Sequence, residues 1–117
     1  MFEALRALLP PGAARALELG CGSGDLTFRL AEHVDELVAI DPSPPMLSAA
    51  VERHAQVPRN IHFVLSSAED FAPHGKFGLV VAAESLHWME WSIVLPKLAS
   101  CLAPGGKLAI VLARGWV

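Results

Sequence analysis

The sequence predicts an α/β fold, with a doubly wound, mainly parallel sheet of about five strands and helices on both faces. Two features indicate this fold. Short and nearly continuous apolar runs alternate with helical patterns along the chain, as is typical of parallel strands that are covered on both faces. The first run leads directly into the glycine loop Gly20–Gly24, where a strand is expected to turn into a helix whose free N–H groups can receive a polar or anionic ligand group.

The first half of the chain is predicted to hold a leading helix and two strand–helix units. An apolar stripe at helical spacing predicts the leading helix, and prolines end it. In order, the elements are a helix at Phe2–Leu9, a strand at Ala16–Leu19, a helix from about Asp25 to His33, a strand at Glu36–Ile40, and a helix that begins after Pro42 and includes Met46 and Leu47. The prolines before that last helix suit a loop and a first helical turn.

The second half is predicted to complete the sheet. Its elements are a strand at Ile61–Leu65, a polar loop at Ser66–Phe71, a strand at Phe77–Ala82, a helix at Glu90–Leu102 closed by Pro104-Gly105-Gly106, and a strand at Lys107–Ala113. Ligands of doubly wound sheets bind at the carboxyl ends of the strands. The segments that follow strand ends are therefore expected to converge on one crevice: Gly20–Gly24, Asp41, Ser67–Glu69 and Ala83–His87.

Composition and charge restrict the class of function. The chain has 117 residues, of which 53% are apolar and 18% charged, which predicts one domain over residues 1–117 with its own core. A net charge of −3 without a basic cluster argues against binding to nucleic acid and favours a small-molecule partner. No apolar run reaches the ~20 residues that cross a bilayer, so no membrane contact is expected. The first residues lack the apolar segment of an export signal, which predicts a cytoplasmic location.

The two cysteines, Cys21 and Cys101, are far apart in the chain and lack the spacing of metal ligands. The histidines show no ligand spacing either. We therefore expect two reduced thiols and no bound metal.

The spacing of the glycine loop bears on the kind of nucleotide. Dinucleotide-binding dehydrogenases carry G-x-G-x-x-G at this place, whereas this chain has G-x-G-x-G, with Asp25 where their third glycine would stand. A carboxylate there would repel a pyrophosphate unless it were turned away, which shifts the interpretation away from NAD. The alternative is that Asp25 is simply a helix N-cap or a first-turn acid.

Asp41 is the second candidate in the crevice. It ends the second predicted strand, where an acid can accept hydrogen bonds from both hydroxyls of a ribose. This position does not distinguish one adenosine cofactor from another. The alternative is that Asp41 caps the helix that follows Pro42.

Five segments, in order along the chain, resemble motifs of the class I S-adenosylmethionine-dependent methyltransferases, which have a Rossmann-like fold. The segments are Leu17–Gly24 with Glu18 as the characteristic acid, Asp41–Leu47, Ser67–Phe71, Phe77–Trp88 and Leu102–Leu108. The resemblance covers nearly the whole chain. The segment Ala82–Trp88 is particularly similar to small-molecule methyltransferases of the trans-aconitate-methyltransferase-like group.

The resemblance implies methyl transfer from S-adenosyl-L-methionine to a small-molecule acceptor by in-line displacement, driven mainly by positioning. The cofactor-binding residues that it implies are Glu18, Gly20, Cys21, Gly22, Gly24, Asp41, Pro42, Met46, Ser67, Ala68, Glu69 and Ala83. His87 and Trp88 are implied to contact the acceptor, whose identity and accepting atom the sequence does not indicate. The resemblance assigns no catalytic residue.

Several of these residues have an alternative interpretation. Ser67 stands where the family often has Asp, so a hydroxyl would bind the adenine amine more weakly or leave that contact to Glu69. Glu69 could equally be a solvated acid, and Met46 a core residue. His87 could cap the following helix, with Trp88 packed on the sheet.

Two other functions remain as alternatives. One is a non-catalytic or truncated module that binds S-adenosylmethionine. The other is an NAD(P)-dependent oxidoreductase, which does not account for the Ser67–Glu69 loop or the Leu86-His87-Trp88 segment. The predicted fifth strand would also leave an unpaired edge near the end of the chain. We expect either a homodimer that covers this edge or a chain that is a fragment of a longer protein.

Overall fold

The structure, a computed structural model, describes residues 7–9, 15–53, 57–83 and 89–111. Within these ranges the elements are β1 (Arg15–Leu19), α1 (Asp25–Ala31), β2 (Glu36–Asp41), α2 (Pro44–Glu52), β3 (Ile61–Leu65), β4 (Phe77–Ala83), α3 (Trp91–Cys101) and β5 (Leu102–Val111). Of the predicted leading helix, Ala7 and Leu8 are described and are helical. Leu9, the last residue of the predicted helix, is described as a bend, and residues 2–6 lie outside the described residues.

The five strands form one sheet in the order β3-β2-β1-β4-β5, and every neighbouring pair is parallel. The chain moves outward from β1 through β2 to β3, and then returns to the other side of β1 to add β4 and β5. This reversal confirms the predicted doubly wound sheet. It places the change in strand order between β1 and β4, and ligands of such sheets bind at the carboxyl ends of the strands near this change.

Two apolar cores lie on opposite faces of the sheet, because successive side chains of a strand point to opposite faces. On one face the core forms against α1, whose Leu26, Leu30 and Ala31 are buried. On the other face the core forms against α3, through Val94 and Leu98. The helices therefore cover both faces.

The fifth strand begins earlier than predicted. Leu102 already pairs with Phe77, whereas the next pair joins Leu79 to Lys107, so the pairing contains an irregularity over the Pro-Gly-Gly segment. Gly105 has φ 78°, the left-handed conformation expected of a turn glycine. The expectation that the strand starts at Lys107 was wrong, since a tertiary contact with β4 recruits Leu102 before the turn.

β5 lies at one edge of the sheet formed by the described residues. The expected pairing of two copies along this edge stays a prediction. None of the helices in the described ranges is both long and apolar enough to span a bilayer.

The irregularity in β5 yields a prediction for two adjacent glycines. A Cβ on Gly106 would lie 2.9 Å from the carbonyl oxygens of Ala103 and Phe77, whereas a Cβ on Gly105 would meet nothing within 4 Å. Gly105→Ala should cost only the ~1–2 kcal/mol of a left-handed alanine. Gly106→Ala should reduce the free energy of unfolding further, because two backbone carbonyls must move. Urea denaturation of both variants measures this, and equal stabilities would contradict the pairing described for β5.

Candidate functional site

The glycine loop is held by the end of β2. The backbone N–H groups of Gly20 and Cys21 both donate to the carbonyl oxygen of Ile40, at 2.8 and 3.0 Å. Gly20, Gly22 and Gly24 have φ values of 69°, 58° and 91°, which residues with a Cβ rarely adopt. The loop therefore folds back over the carboxyl ends of β1 and β2, where the sequence predicted the crevice.

Packing around Gly24 requires a glycine for a second reason. A Cβ there would lie 2.7 Å from the ring of Phe28 and 3.3 Å from the Cβ of Ala50 in α2. α1 begins immediately after Gly24, so that the loop, α1 and α2 meet closely at this point.

Asp25 is the first residue of α1 and an acid of its first turn, while Gly24 occupies the N-cap position. The N-cap interpretation of Asp25 was therefore wrong, and the first-turn interpretation is confirmed. Its carboxylate accepts a hydrogen bond from Arg53, which also donates to the carbonyl oxygen and the hydroxyl of Ser23 at 3.3 and 3.2 Å. Since this carboxylate is turned toward Arg53, its charge does not by itself argue against a pyrophosphate at the loop.

Asp41 joins the glycine loop to the start of α2. The residue is 8% exposed; its Oδ2 accepts the N–H of Gly22 at 2.9 Å, and its Oδ1 accepts the N–H of Ser43 at 2.8 Å. Ser43 is the N-cap of α2, and its hydroxyl accepts the N–H of Met46. The helix-cap alternative for Asp41 was therefore wrong. Each carboxylate oxygen keeps further acceptor capacity for a ligand hydroxyl.

Glu18 is buried beneath the loop, with 1% of its surface exposed. The hydroxyl of Thr27 donates to Glu18 Oε1 at 2.5 Å. Burial raises the pKa of Glu18 to about 7, with the Thr27 hydrogen bond opposing the shift and the charge of Asp41 adding to it. A carboxyl group in this state is stabilised in its ionised form by a cation placed nearby.

Thr27 was missed by the sequence reasoning. The available signal was a hydroxyl at an inward-facing position of α1, next to Leu26 and one turn before Leu30. A buried hydroxyl needs a hydrogen-bond partner, and here the partner is the acid of the preceding strand.

The thiol of Cys21 also lies in this acidic surrounding. Burial raises the pKa of Cys21 to about 12, and the charges of Glu18 and Asp41 add to the shift. Cys21 and Cys101 are both buried and free, and their reduced state stays a prediction. A buried thiol with a raised pKa is a poor nucleophile.

The loop after β3 is tied to itself and to α3. Ser67 accepts the N–H of Asp70 on its hydroxyl and the N–H of Phe71 on its carbonyl, both at 3.1 Å. Glu69 Oε2 accepts the N–H of Glu90 at 2.6 Å. This hydrogen bond is the largest cause that lowers the pKa of Glu69. Glu69 is thus not merely a solvated acid, since its carboxylate already has a protein partner.

The remaining predicted residues are distributed around the same crevice. Met46 is 40% exposed in the first turn of α2, so that its interpretation as a core residue was wrong. Pro42 follows Asp41 directly, Ala68 is buried with the α3 core, and Ala83 ends β4 opposite Val111. His87 and Trp88 lie outside the described residues. Over the described ranges, no group of three or more His, Cys, Asp or Glu could hold a metal ion.

Comparison with known proteins identifies the family. A family model described as a methyltransferase domain matches residues 16–106. The chain belongs to the class I S-adenosylmethionine-dependent methyltransferases. A methyltransferase of Mycobacterium tuberculosis is 36% identical over 120 residues, which cover 98% of this chain and 48% of that protein. The trans-aconitate 2-methyltransferase of Methylobacterium radiotolerans is 37% identical over 110 residues, which cover 91% of this chain and 41% of the enzyme.

Solved structures show the same fold. The N-methyltransferase NodS from Bradyrhizobium japonicum WM9, in complex with S-adenosyl-L-homocysteine, has a TM-score of 0.80 and 28% identity. That alignment covers 93% of this chain and 58% of NodS. The chain spans about half the length of the curated relatives it matches.

The residues of the crevice fit the cofactor of this family. A Cβ on Gly22 would lie 3.4 Å from Met46 Cε, which places the Met46 side chain beside the loop. The Asp41 carboxylate oxygens have acceptor capacity that ribose hydroxyls could use. Glu18 and Asp41 together surround the loop with acids, which complement the ammonium and sulfonium charges of S-adenosylmethionine.

The buried state of Glu18 predicts a specific pH dependence of stability. Its pKa is about 7 in the folded protein against an ordinary value of 4.5. The folded state therefore holds a proton that the unfolded state has lost, and stability falls as pH rises between these two values. The full effect corresponds to about 3 kcal/mol above pH 7.

Glu18→Gln should remove this fall and raise the melting temperature at pH 8, with little change at pH 4. Thermal denaturation across pH measures the difference between the variant and the wild-type protein. Glu36→Gln is the control, because Arg15 lowers the pKa of Glu36. Removal of the Glu36 charge should therefore destabilise the protein above pH 4.5. A melting curve of Glu18→Gln that follows the wild type at every pH would contradict a buried Glu18 carboxyl group with a raised pKa.

Proposed function

We propose that this chain binds S-adenosyl-L-methionine in the crevice at the carboxyl ends of β1 and β2 and transfers its methyl group to a small-molecule acceptor. The observation that carries the proposal is the carboxylate of Asp41. It connects Gly22 of the glycine loop to Ser43 before α2, at the position where an acid can accept the hydroxyls of a ribose.

Each part of the cofactor has candidate partners in this chain. The glycine loop and Glu18 are proposed for the methionine end, where the acids favour positive charge. Asp41 and Pro42 are proposed beside the ribose, and Met46 beside the adenine. The segment Ser67–Glu69 is proposed at the adenine edge. His87 and Trp88 are proposed to contact the acceptor.

The bound cofactor would supply a methyl group already activated by its sulfonium charge. The protein therefore needs no nucleophile of its own. Its residues have to orient the two reactants and exclude water, which accounts for roughly 7–11 kcal/mol of a barrier when the geometry is well defined. A general base would add about 10²- to 10⁴-fold in rate, and only for an acceptor that must lose a proton.

The names of the relatives support a small-molecule acceptor without choosing one. They include an N-methyltransferase and a trans-aconitate 2-methyltransferase, whose names do not point to one shared acceptor. A chain that binds the cofactor without transferring its methyl group is the second candidate function.

Binding of S-adenosylhomocysteine should raise the melting temperature of the protein, because a ligand that binds only the folded state stabilises it. At a ligand concentration of 100 Kd the stabilisation is about 2.7 kcal/mol. NADH at the same concentration should produce no shift. A shift with NADH alone would contradict the proposed cofactor. A shift with S-adenosylhomocysteine but no methyl transfer to a panel of carboxylates, amines and hydroxyls would favour the second candidate function.

The contact between Asp41 and the ribose is tested by measuring two ligands, one of which lacks the ribose hydroxyls, against the wild-type protein and one variant. Asp41→Asn should weaken S-adenosylhomocysteine by roughly ten-fold or more, since a hydrogen bond to a charged group is lost. It should weaken the 2′,3′-dideoxyribose analogue much less, because that analogue lacks the hydroxyls. Calorimetry gives both affinities, and equal losses for the two ligands would assign Asp41 to loop support alone. Asp35→Asn is the matched control, since Asp35 is exposed and precedes the same strand that Asp41 ends.

A further inference from the structure

The two elements that flank the glycine loop are joined beneath it by one buried hydrogen bond. Glu18 belongs to β1, before the loop, and Thr27 to α1, after the loop. The two residues are 1% and 0% exposed, and the hydroxyl of Thr27 donates to Glu18 Oε1 at 2.5 Å. This length is typical of hydrogen bonds between a hydroxyl and a charged carboxylate. The contact therefore favours the ionised form of Glu18.

The backbone of the loop does not take over this task. Four of its N–H groups donate either to the end of β2 or within the loop, namely those of Gly20, Cys21, Gly22 and Gly24. These groups are directed away from Glu18. Its charge is instead stabilised by a side chain, from the first turn of α1.

The hydroxyl of Thr27 matters for Glu18 more than for the helix. A threonine in a helix often bonds to a carbonyl oxygen of the preceding turn, whereas this one donates to the neighbouring strand. A buried hydroxyl without a partner destabilises a protein. Valine has nearly the same shape and would fill the same space, but it would leave the Glu18 carboxylate without this donor.

The groups around Glu18 determine how its charge responds to pH. Over the described residues they are the titratable Asp41 and Cys21, the hydroxyl of Thr27, and the apolar neighbours Ala39 and Val81 in the adjoining strands. Burial raises the pKa of Glu18 to about 7, and the charge of Asp41 adds to the shift. The hydrogen bond from Thr27 opposes both. Thr27 thus keeps a larger fraction of Glu18 ionised near neutral pH.

The charge of Glu18 bears on the difference between the methyl donor and its product. S-adenosylmethionine carries a sulfonium charge, which S-adenosylhomocysteine lacks, while the two molecules share their adenosine and amino acid ends. An ionised acid beneath the loop attracts the additional positive charge. A protonated acid must first release its proton to the solvent, which weakens the apparent affinity for the cation.

We propose that Thr27 is a positioning residue for the methyl donor, whose hydroxyl group holds the buried Glu18 carboxylate beneath the glycine loop in the charged form that favours S-adenosylmethionine over S-adenosylhomocysteine. The preference for the donor rests on the proposed function, whereas the hydrogen bond between Thr27 and Glu18 does not.

The first test is a carboxyl-carbon NMR titration of the full chain without ligand. The Glu18 signal is identified by its absence from Glu18→Gln, and its midpoint should lie near pH 7 in the wild type. In Thr27→Val the midpoint should rise by about one pH unit, a roughly ten-fold smaller acid dissociation constant, because a hydrogen bond to a charged group is lost. Thr27→Ser keeps the hydroxyl and should titrate as the wild type does.

Val34→Ala is the control for a general loss of stability. Val34 is buried in the core that α1 forms with the sheet, and its truncation leaves the Thr27 hydroxyl in place. This variant should melt at a lower temperature with an unchanged Glu18 midpoint. Thr27→Ala also lacks the hydroxyl and serves for both measurements where Thr27→Val does not fold.

The second test compares the affinities for S-adenosylmethionine and S-adenosylhomocysteine by calorimetry. At pH 7, Thr27→Val should reduce the preference for S-adenosylmethionine by about five-fold, because the ionised fraction of Glu18 falls from about one half to about one tenth. At pH 8.5 the preference should differ from that of the wild type by less than about 1.5-fold, since Glu18 is then mostly ionised in both proteins. Thr27→Ser should retain the preference at both pH values. Titration of the shared amino acid end cancels in the ratio.

An unchanged Glu18 midpoint in Thr27→Val would overturn the proposal. A loss of affinity that is equal for the two ligands, or a loss of preference that persists at pH 8.5, would also overturn it, because either result indicates only a distorted loop. Absence of binding of both ligands to the wild-type protein would overturn the proposed function and the donor preference with it. The NMR titration would still decide whether Thr27 sets the charge of Glu18.

Discussion

The site depends on one buried carboxylate that accepts two backbone N–H groups. Asp41 receives the N–H of Gly22 and the N–H of Ser43, and so connects the loop after β1 to the helix after β2. The adjoining carbonyl of Ile40 receives two further N–H groups of the loop. The end of β2 thereby determines the shape of the glycine loop, and every cofactor contact proposed at the loop follows from that shape.

Two buried carboxyl groups, Glu18 and Asp41, make the surroundings of the glycine loop acidic. Glu18 lies beneath the loop with Thr27 as its hydrogen-bond donor, and Asp41 lies at its side. Burial raises the pKa values of Glu18 and Cys21, since a charge is costly where water is excluded. A cationic ligand reduces that cost. The two carboxyl groups, Glu18 and Asp41, therefore support a sulfonium cofactor more directly than the glycine spacing does.

The opposite face of the sheet is covered by α3. α3 packs on the β-strands through Val94 and Leu98, while its first turns are held from the loop after β3 by Glu69. The loop after β3 is thus connected to the first turns of α3.

The sequence by itself determined the alternation of strands and helices, the order of the motifs and the convergence of the strand ends. These features are local, because apolar runs, glycines and prolines act on their own segment of chain. Only the tertiary structure decided the partners of the charged groups. The carboxylate of Asp25 turns toward Arg53, and Glu69 bonds to Glu90. Leu102 likewise joins β5 because it meets β4. Such contacts join residues that lie twenty or more positions apart, and their geometry follows from how the helices pack on the sheet, which no local pattern encodes.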